Sequence, residues 1–233
     1  MDDALALERV TPPGPLRQQV YERLEELIVY GALPPGQHLV ESRLAAQLGV
    51  SRIPVREALQ LLARNGWVDL RPRYGAFVHE PTLKEVEDVF RARALVEVEA
   101  ARLLAKNATQ DHVEELRRML TDGATAVETC DERLLLRLNE AFHARVTEFA
   151  GNRVLAEISA LLSKRNSWYF AAVVTERSLE SWMEHRELVD AVAAGDPDRA
   201  AAVMQQHVDQ TGSMYRLHRE QLESEPTVGL AEP

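Results

Sequence analysis

The 233-residue chain contains one cysteine, Cys130, and therefore cannot form an intrachain disulfide. It also lacks any apolar run of the roughly 18 residues that a membrane span requires. Its first residues have neither the basic start nor the apolar core of a secretory signal peptide. These absences predict a cytoplasmic protein with no membrane partner.

Motifs that mark common hydrolases are missing as well. The sequence has no His-Glu-x-x-His metalloprotease motif, no glycine-rich phosphate loop and no Gly-x-Ser-x-Gly nucleophile motif. We therefore rank a metal-dependent hydrolase below a non-enzymatic function.

The chain is acidic overall, but one segment carries a net positive charge. The net charge of −10 at neutral pH argues at first against a nucleic-acid partner. Between Arg43 and Arg73, however, six arginines face only two acidic residues, a local balance of +4. From Pro81 onward, 18 basic residues stand against 27 acidic ones, a balance of −9. Such a basic island is typical either of a DNA-binding surface or of an ordinary solvated one.

Helix-breaking residues divide the chain into segments. A proline-rich run predicts a flexible tail over 1–14, and Pro81 ends a first domain over 15–80. Within that domain, apolar spacing predicts helices over 16–30, 41–48 and 52–65, with Ser51 as the N-cap of the third. The segments 67–70 and 76–79 predict a two-stranded hairpin.

The chain after Pro81 is predicted to be helical. The candidate helices span 82–106, 109–128, 131–150, 152–174, 176–194 and 197–222, followed by a tail over 223–233. Between the last two helices, Gly195 fits a helix end, Asp196 an N-cap and Pro197 a first helical position. These two helices are therefore predicted to form a hairpin. Six helices with short loops predict an antiparallel bundle over 81–222.

The segment from Glu41 to Asn65 has the layout of a helix-turn-helix. Arg52 and Arg56 are four residues apart at the start of its second helix and share the exposed face. Arginine at such a position can read a guanine edge or bind phosphate. The alternative is that Arg56 pairs with an acidic neighbour on the helix surface. The fold class is thus mainly α: an N-terminal winged helix-turn-helix followed by a C-terminal six-helix antiparallel bundle.

Four motifs occur in order along residues 34–78. They are Pro-Pro-Gly at 34–36, Glu-Ser-Arg-Leu-Ala-Ala-Gln-Leu-Gly-Val-Ser-Arg-Ile-Pro-Val-Arg-Glu-Ala-Leu at 41–59, Asn-Gly-Trp-Val at 65–68 and Tyr-Gly-Ala-Phe-Val at 74–78. Together they resemble the winged helix-turn-helix of the GntR family. The resemblance implies that Ser51, Arg52 and Arg56 contact DNA and that Gly75 forms the tip of the wing. Ile53 stands at a position that often touches DNA, where the family usually has Thr or Ser. We also expect DNA contacts from Arg43 and Arg73.

Three of the seven histidines form a pattern of their own. Asn139 and His143 are four residues apart on one predicted helix and share a face. His185 lies 11 residues before Asp196 and His207 lies 11 after it, so both sit at one height on the hairpin, roughly 16 Å from its tip. Three imidazoles and an oxygen suit Zn²⁺ or Ni²⁺. On spacing alone, a structural histidine pair is the more common arrangement.

Asn-Glu-Ala-Phe-His at 139–143, Glu-His-Arg-Glu-Leu-Val at 184–189 and His207 carry a second resemblance. They are similar to the helical ligand-binding (FCD) domain of the FadR-type branch of the GntR family, over about 83–220. The resemblance implies a metal held by Asn139, His143, His185 and His207, where the family often has Asp at the first position. Arg93 is a candidate partner for an effector carboxylate, and the alternative is an ion pair with Glu97 four residues on.

The expectations combine into one function. We predict a homodimeric transcription regulator, a repressor, whose affinity for a double-stranded DNA operator falls when a small organic acid binds at the metal site. A constitutive dimeric DNA-binding protein, in which the helical domain only dimerises and the metal is structural, is the first alternative. A metal-dependent hydrolase is the second.

Overall fold

A computed structural model describes residues 15–224 as two compact units. The first unit contains residues 15–28 and 32–80, and the second contains 29–31 and 81–224. The tail predicted over 1–14 and all but the first two residues of the tail predicted over 223–233 lie outside the described residues. Residues 223 and 224, predicted as part of the second tail, instead belong to the last helix. The helix continues through them because the next proline, Pro226, follows later in the sequence.

The first unit consists of helices and a small antiparallel sheet. Its elements are α1 (Pro15–Val29), β1 (His38–Leu39), α2 (Glu41–Leu48), α3 (Arg52–Arg64), β2 (Val68–Arg71) and β3 (Gly75–Val78). The hairpin of β2 and β3 confirms the predicted wing, with Leu70 opposite Ala76. A third strand, β1, was not predicted, and it pairs with β3 on the side away from β2. A two-residue strand is too short to show the alternation that identifies strands in a sequence.

The turn between α2 and α3 has the conformation that a helix-turn-helix requires. Gly49 ends α2 with a φ of 68°, in the left-handed region that favours glycine. Ser51 occupies the N-cap position of α3 with an extended backbone, as predicted, but its side chain makes no capping hydrogen bond. On the inner face of α3, Val55, Ala58 and Leu62 are fully buried. Burial of that face fixes which side of α3 remains exposed.

The second unit is a bundle of six helices, as predicted. They are α4 (Leu83–Asn107), α5 (Gln110–Glu128), α6 (Glu132–Phe149), α7 (Arg153–Ala171), α8 (Val174–Ala193) and α9 (Pro197–Ser224). Each boundary lies within three residues of its prediction. None of the helices in the described range 15–224 is long and apolar enough to cross a lipid bilayer.

The hairpin between α8 and α9 confirms the interpretation of Gly195, Asp196 and Pro197. Gly195 adopts a φ of 63°, and Pro197 is the first residue of α9. Asp196 Oδ1 accepts a hydrogen bond of 3.0 Å from the backbone nitrogen of Arg199. The two helices then run alongside each other, while α4 contacts α6, α7, α8 and α9. Side chains on α4 can therefore meet groups from four neighbouring helices.

Close packing of α5 against α8 depends on Gly123. A Cβ at this position would lie 2.4 Å from ring atoms of Trp182, whose side chain is buried. Glycine is therefore required at this position because a side chain would clash with Trp182, and not because of an unusual backbone conformation.

We expect Gly123→Ala to lower the free energy of unfolding by about 1–3 kcal/mol, because the buried indole must move. Alanine in a helix normally stabilises by up to about 1 kcal/mol relative to glycine. A decrease in the free energy of unfolding would therefore indicate the clash with Trp182. Gly212→Ala on α9 is the control, since its Cβ would lie 3.4 Å from the nearest atom of Phe90. Urea denaturation of the three proteins measures both effects, and equal stability of the two variants would contradict the clash.

Candidate DNA-binding surface and candidate metal centre

The start of α3 presents an exposed surface. Ser51, Arg52 and Ile53 are all exposed, and Ile53 leaves 69% of its surface in solvent. An isoleucine so exposed at a helix N-terminus contributes nothing to the core of its own unit. Arg43 is likewise exposed, on α2. The predicted division of α3 into an exposed basic face and a buried apolar face is confirmed.

Arg56 makes an ion pair that spans the helix-turn-helix. Its Nε and Nη2 donate hydrogen bonds of 3.0 and 2.8 Å to the two carboxylate oxygens of Glu41, the first residue of α2. The ion pair predicted as the alternative for Arg56 is thus present. Hydrogen bonding from Arg56 also holds the pKa of Glu41 below its ordinary value. Since the Arg56 side chain remains 61% exposed, the pair orients the guanidinium without removing it from the surface.

The tip of the wing has two constraints at Gly75. Its φ is 99°, a conformation that disfavours side chains, and a Cβ there would lie 2.9 Å from His38 Nε2. Arg73 also adopts a positive φ, 71°, which turns the chain between the two strands. Tyr74 between them is 71% exposed and was not among the predicted contact residues. Gly75 therefore begins β3 directly after the turn, next to the wing-tip position that the family resemblance implies for it.

The three predicted histidine ligands converge inside the bundle. His143 comes from α6, His185 from α8 and His207 from α9, and all three are buried. One ring nitrogen from each lies within 4.8 Å of the others. The Nε2 atoms of His143 and His185 are 3.3 Å apart. Two imidazoles on a tetrahedral zinc, with bonds of about 2.0–2.1 Å, place their nitrogens at about this separation.

Carboxylates contact two of the imidazoles at their Nδ1 atoms. His143 Nδ1 lies 3.0 Å from Glu97 Oε2, and His207 Nδ1 lies 2.8 Å from Glu184 Oε2. A carboxylate on Nδ1 fixes the tautomer and leaves Nε2 free to bind a metal. Arg177, seven residues before Glu184 on α8, also pairs with Glu184. Glu184 was not predicted as a site residue, although a glutamate two turns after an arginine on the same predicted helix could have indicated such a pair.

The surroundings keep the histidines uncharged. Burial lowers the pKa of His143 and lowers the pKa of His185 and His207 well below the ordinary value, because a charged imidazole is poorly solvated in the core. Neutral imidazole is the form that binds a metal. Burial by itself would raise the pKa of Glu97, but the charge of Arg93 and the neighbouring His143 outweigh it and hold the pKa well below its usual range.

Asn139, the fourth predicted ligand, lies one turn before His143 on α6. It is 3% exposed, and its Oδ1 has no hydrogen-bond partner in the part of the chain that the structure describes. A buried carbonyl oxygen without a donor is unfavourable unless something else binds it. Three neutral imidazoles and this oxygen form a donor set that fits a divalent transition metal.

Arg93 of α4 extends into the same cluster. It is 2% exposed, and its Nε donates 2.9 Å to Glu97 Oε1 while its Nη1 donates 2.8 Å to Asn166 Oδ1. The predicted ion pair with Glu97 is therefore present. Its Nη2 lies 2.8 Å from Nε2 and 3.2 Å from Nδ1 of His143, and so lies over the face of that ring, and it is 3.4 Å from His207 Nε2. The role of Arg93 towards an effector stays a prediction.

A cavity of about 420 Å³ reaches this cluster between α6 and α7. His143, Glu97 and Asn166 lie in its wall, together with the hydroxyl-bearing Ser159, Ser163 and Ser167. The three serines are spaced four residues apart and so form one stripe along α7. The volume is within the range of small-molecule sites in proteins.

Comparison with known protein families matches both units. The family described as "Bacterial regulatory proteins, gntR family" matches residues 16–78, and the FCD domain matches residues 88–210, more than half of the chain. The chain belongs to the GntR family. This GntR-family regulator carries an FCD domain as its helical bundle, as the sequence motifs predict.

Named relatives match most of the regulator. It is 32% identical over 191 residues to a "Probable D-xylose utilization operon transcriptional repressor" of Paenarthrobacter nicotinovorans, covering 82% of this chain and 84% of that protein. It is 26% identical over 217 residues to the "HTH-type transcriptional repressor RspR" of Escherichia coli (strain K12), covering 91% and 94%. Among solved structures, E. coli McbR/YncC shares the fold with a TM-score of 0.73 at 24% identity, over 91% of this chain and 100% of that one.

The family establishes the general activity. Both matched domains and the named relatives are those of transcription regulators, so this GntR-family protein is a DNA-binding transcription regulator and not an enzyme. The hydrolase alternative is therefore not supported. The winged unit supplies the DNA-binding surface, and the buried histidine cluster lies in the FCD domain.

We expect Glu184→Ala to destabilise the regulator by about 3–5 kcal/mol, because it leaves Arg177 and His207 Nδ1 buried without their acceptor. Glu157→Ala is the matched control, since Glu157 pairs with Arg153 on the exposed face of α7. Its loss should change stability by no more than about 1 kcal/mol. Chemical denaturation of both variants tests the difference, and a similar small effect for both would show that Glu184 does not organise the core.

Proposed function

We propose that this regulator is a repressor whose FCD domain holds a metal ion and binds a small organic acid, and that this binding lowers its affinity for operator DNA. The observation that carries the proposal is the convergence of three buried imidazoles, two of which have a carboxylate at Nδ1. Repression is inferred from two relatives that are described as transcriptional repressors.

Operator binding is assigned to the exposed start of α3 and to the wing. Ser51, Arg52 and Ile53 offer a hydroxyl, a guanidinium and an apolar surface to base edges, while Arg43 and Arg73 supply charge for phosphates. Arg56 reaches DNA from the same face, with Glu41 holding its guanidinium in position. The local charge of +4 between Arg43 and Arg73 opposes the acidic remainder of the chain and brings this unit to the DNA.

A homodimer is the proposed working form. One winged helix-turn-helix covers only a short half-site, and two-fold symmetric operators match two-fold symmetric proteins. Both copies then contribute one α3 each, and the effector in each FCD domain acts on the shared assembly.

We expect Arg56→Ala to weaken operator binding by about 1–3 kcal/mol, with the fold unchanged, since it removes an arginine from the exposed face of α3. Arg153→Ala, which removes an exposed arginine of the bundle, is the control and should leave binding unchanged. Fluorescence anisotropy with operator DNA measures the affinity, and light scattering on the same samples should give twice the chain mass. Equal operator affinities of the Arg56→Ala and Arg153→Ala variants would show that Arg56 does not contact DNA.

The metal is proposed to be Zn²⁺ or Ni²⁺, held by Asn139, His143, His185 and His207. Four protein ligands leave room for one or two further ones in five- or six-coordinate geometry. A carboxylate from the effector can take that position, with its other end in the cavity of about 420 Å³ beside the α7 serines. Arg93 lies next to the same nitrogens and offers a charged donor to the carboxylate.

We expect His143→Ala and His207→Ala to lower the bound metal and to abolish the release of DNA by organic acids. An effector shifts the DNA equilibrium only through a difference in its affinity for two arrangements of the protein, and the metal supplies that contact. Operator affinity without effector should persist, because α3 lies in another unit. His218→Ala, on α9 outside the cluster, is the matched control.

The readouts are elemental analysis and operator affinity with and without a panel of small organic acids. Variants that keep full metal and respond normally would show that the site is misassigned. Loss of metal with a normal response would favour a structural metal and an effector bound elsewhere. Absence of any response in the wild-type protein would favour the constitutive DNA-binding alternative.

A further inference from the structure

Helix α7 has two faces that lie on roughly opposite sides of its axis. The serine stripe forms one face and lines the cavity of about 420 Å³. Val154, Ile158 and Leu161 follow one another at intervals of four and three residues, so they share a second face. At 3.6 residues per turn, this second face points away from the serine stripe and from the cavity.

The second face of α7 is apolar and exposed. Val154, Ile158 and Leu161 all lie open to solvent, and Leu161, at 80%, is the most exposed large apolar side chain in the described range 15–224. Single exposed apolar residues are common on protein surfaces, but a continuous row along one helix is a typical contact surface for another protein. Burial of such a row against a partner removes apolar area from water and is favourable.

The charges beside this row suit a second copy of the same helix. Glu157 and Lys164 are both exposed and lie on the same flank of the row, two turns apart. In an antiparallel pair of α7 helices, related by a two-fold axis between Ile158 and Leu161, each Glu157 lies within one turn of the partner's Lys164. In a parallel pair, each residue would lie level with its own copy, and no opposite charges would meet.

We propose that the exposed face of α7 is the surface on which a second copy of this chain packs, antiparallel, with Ile158 against the partner's Leu161. This inference rests on the homodimer of the proposed function and names its interface. It also makes α7 the helix that separates each cavity from the other copy. A ligand that moves the serine face of α7 therefore moves the contact between the two copies, as in helix shifts at other subunit interfaces.

Helix α8 carries a second exposed apolar pair, Leu179 and Met183. This pair covers only one turn. The exposed charged side chains around it are Glu176, Glu180, Arg186, Glu187 and Asp190. Four of these five are acidic, so two copies of this face would repel each other. The charges therefore favour α7 over α8 as the surface for self-association.

The first test compares the dimer dissociation constants of the full-length wild type, Leu161→Glu and Leu179→Glu by analytical ultracentrifugation. Leu161→Glu places a carboxylate at the centre of the proposed interface, and we expect the dissociation constant to rise by about 30-fold or more. Leu179→Glu makes the same change at an exposed leucine of α8 and should keep the wild-type constant. Both leucines are exposed within a single chain, so the helical content measured by circular dichroism should not change.

The second test reverses the charges of the proposed pair. Glu157→Lys and Lys164→Glu should each raise the dissociation constant by about 2- to 10-fold, because an exposed pair contributes little and this one occurs twice in the dimer. The double variant restores opposite charges across the interface and should recover most of the wild-type affinity. No recovery is expected from two residues that act separately within one chain.

The outcomes separate this inference from the proposed homodimer. A dimeric wild type with an equally stable Leu161→Glu dimer would overturn the α7 interface and leave the homodimer intact. Dissociation by Leu179→Glu alone would place the interface on α8 and overturn the proposal as well. Loss of the dimer in Leu161→Glu without recovery in the double variant would overturn the antiparallel arrangement. A wild type that is monomeric at concentrations that bind DNA would overturn the homodimer, and its interface with it.

Discussion

Compensation of buried charge governs the interior of the FCD domain. Arg93 and Glu97 come from α4, Arg177 and Glu184 from α8, and each is largely removed from solvent. Leaving any one of them without its partner would be strongly destabilising. Each pair lies within a single helix, so the helices are linked by the further contacts of the same residues, from Glu97 to His143 and from Glu184 to His207. The imidazoles from α6, α8 and α9 and the Asn166 amide from α7 complete the set. Five of the six helices are therefore positioned by one polar cluster, and the apolar core surrounds it.

The same cluster shows where sequence reasoning ends. Helical spacing and the Asp196 hairpin predicted that His185 and His207 lie level with each other, and their ring centroids are 4.8 Å apart. The contacts from Glu184 to His207 and from Arg93 to His143 were not predicted. They depend on the rotation of each helix about its axis and on side-chain rotamers, which only the assembled bundle fixes. The number of helices follows from periodicity, whereas the partners of each polar group follow from tertiary packing.

In the winged unit, the exposed face of α3 was predictable because Val55, Leu59 and Leu62 mark the buried face. Strand β1 was harder to predict because it has only two residues. The partner of Arg56 was harder to predict because Glu41 lies 15 positions away in the sequence. An exposed pair of this kind contributes about 1 kcal/mol or less. A phosphate or a guanine edge can therefore replace Glu41 as the partner of the Arg56 guanidinium at a small cost in free energy. Before DNA binds, Glu41 limits the directions in which this guanidinium points.

The distribution of the three histidines over α6, α8 and α9 bears on how a metal bound as proposed would enter and leave. An unfolded chain offers no local chelate here, so the three helices must assemble before the site exists, and an ion could not nucleate folding as it does in a zinc finger. An ion would therefore be loaded late in folding. Because all three rings are buried, its exchange would require transient local opening of the helices. The lifetime of the bound ion would then depend more on the rate of this opening than on the strength of its bonds to the ligands.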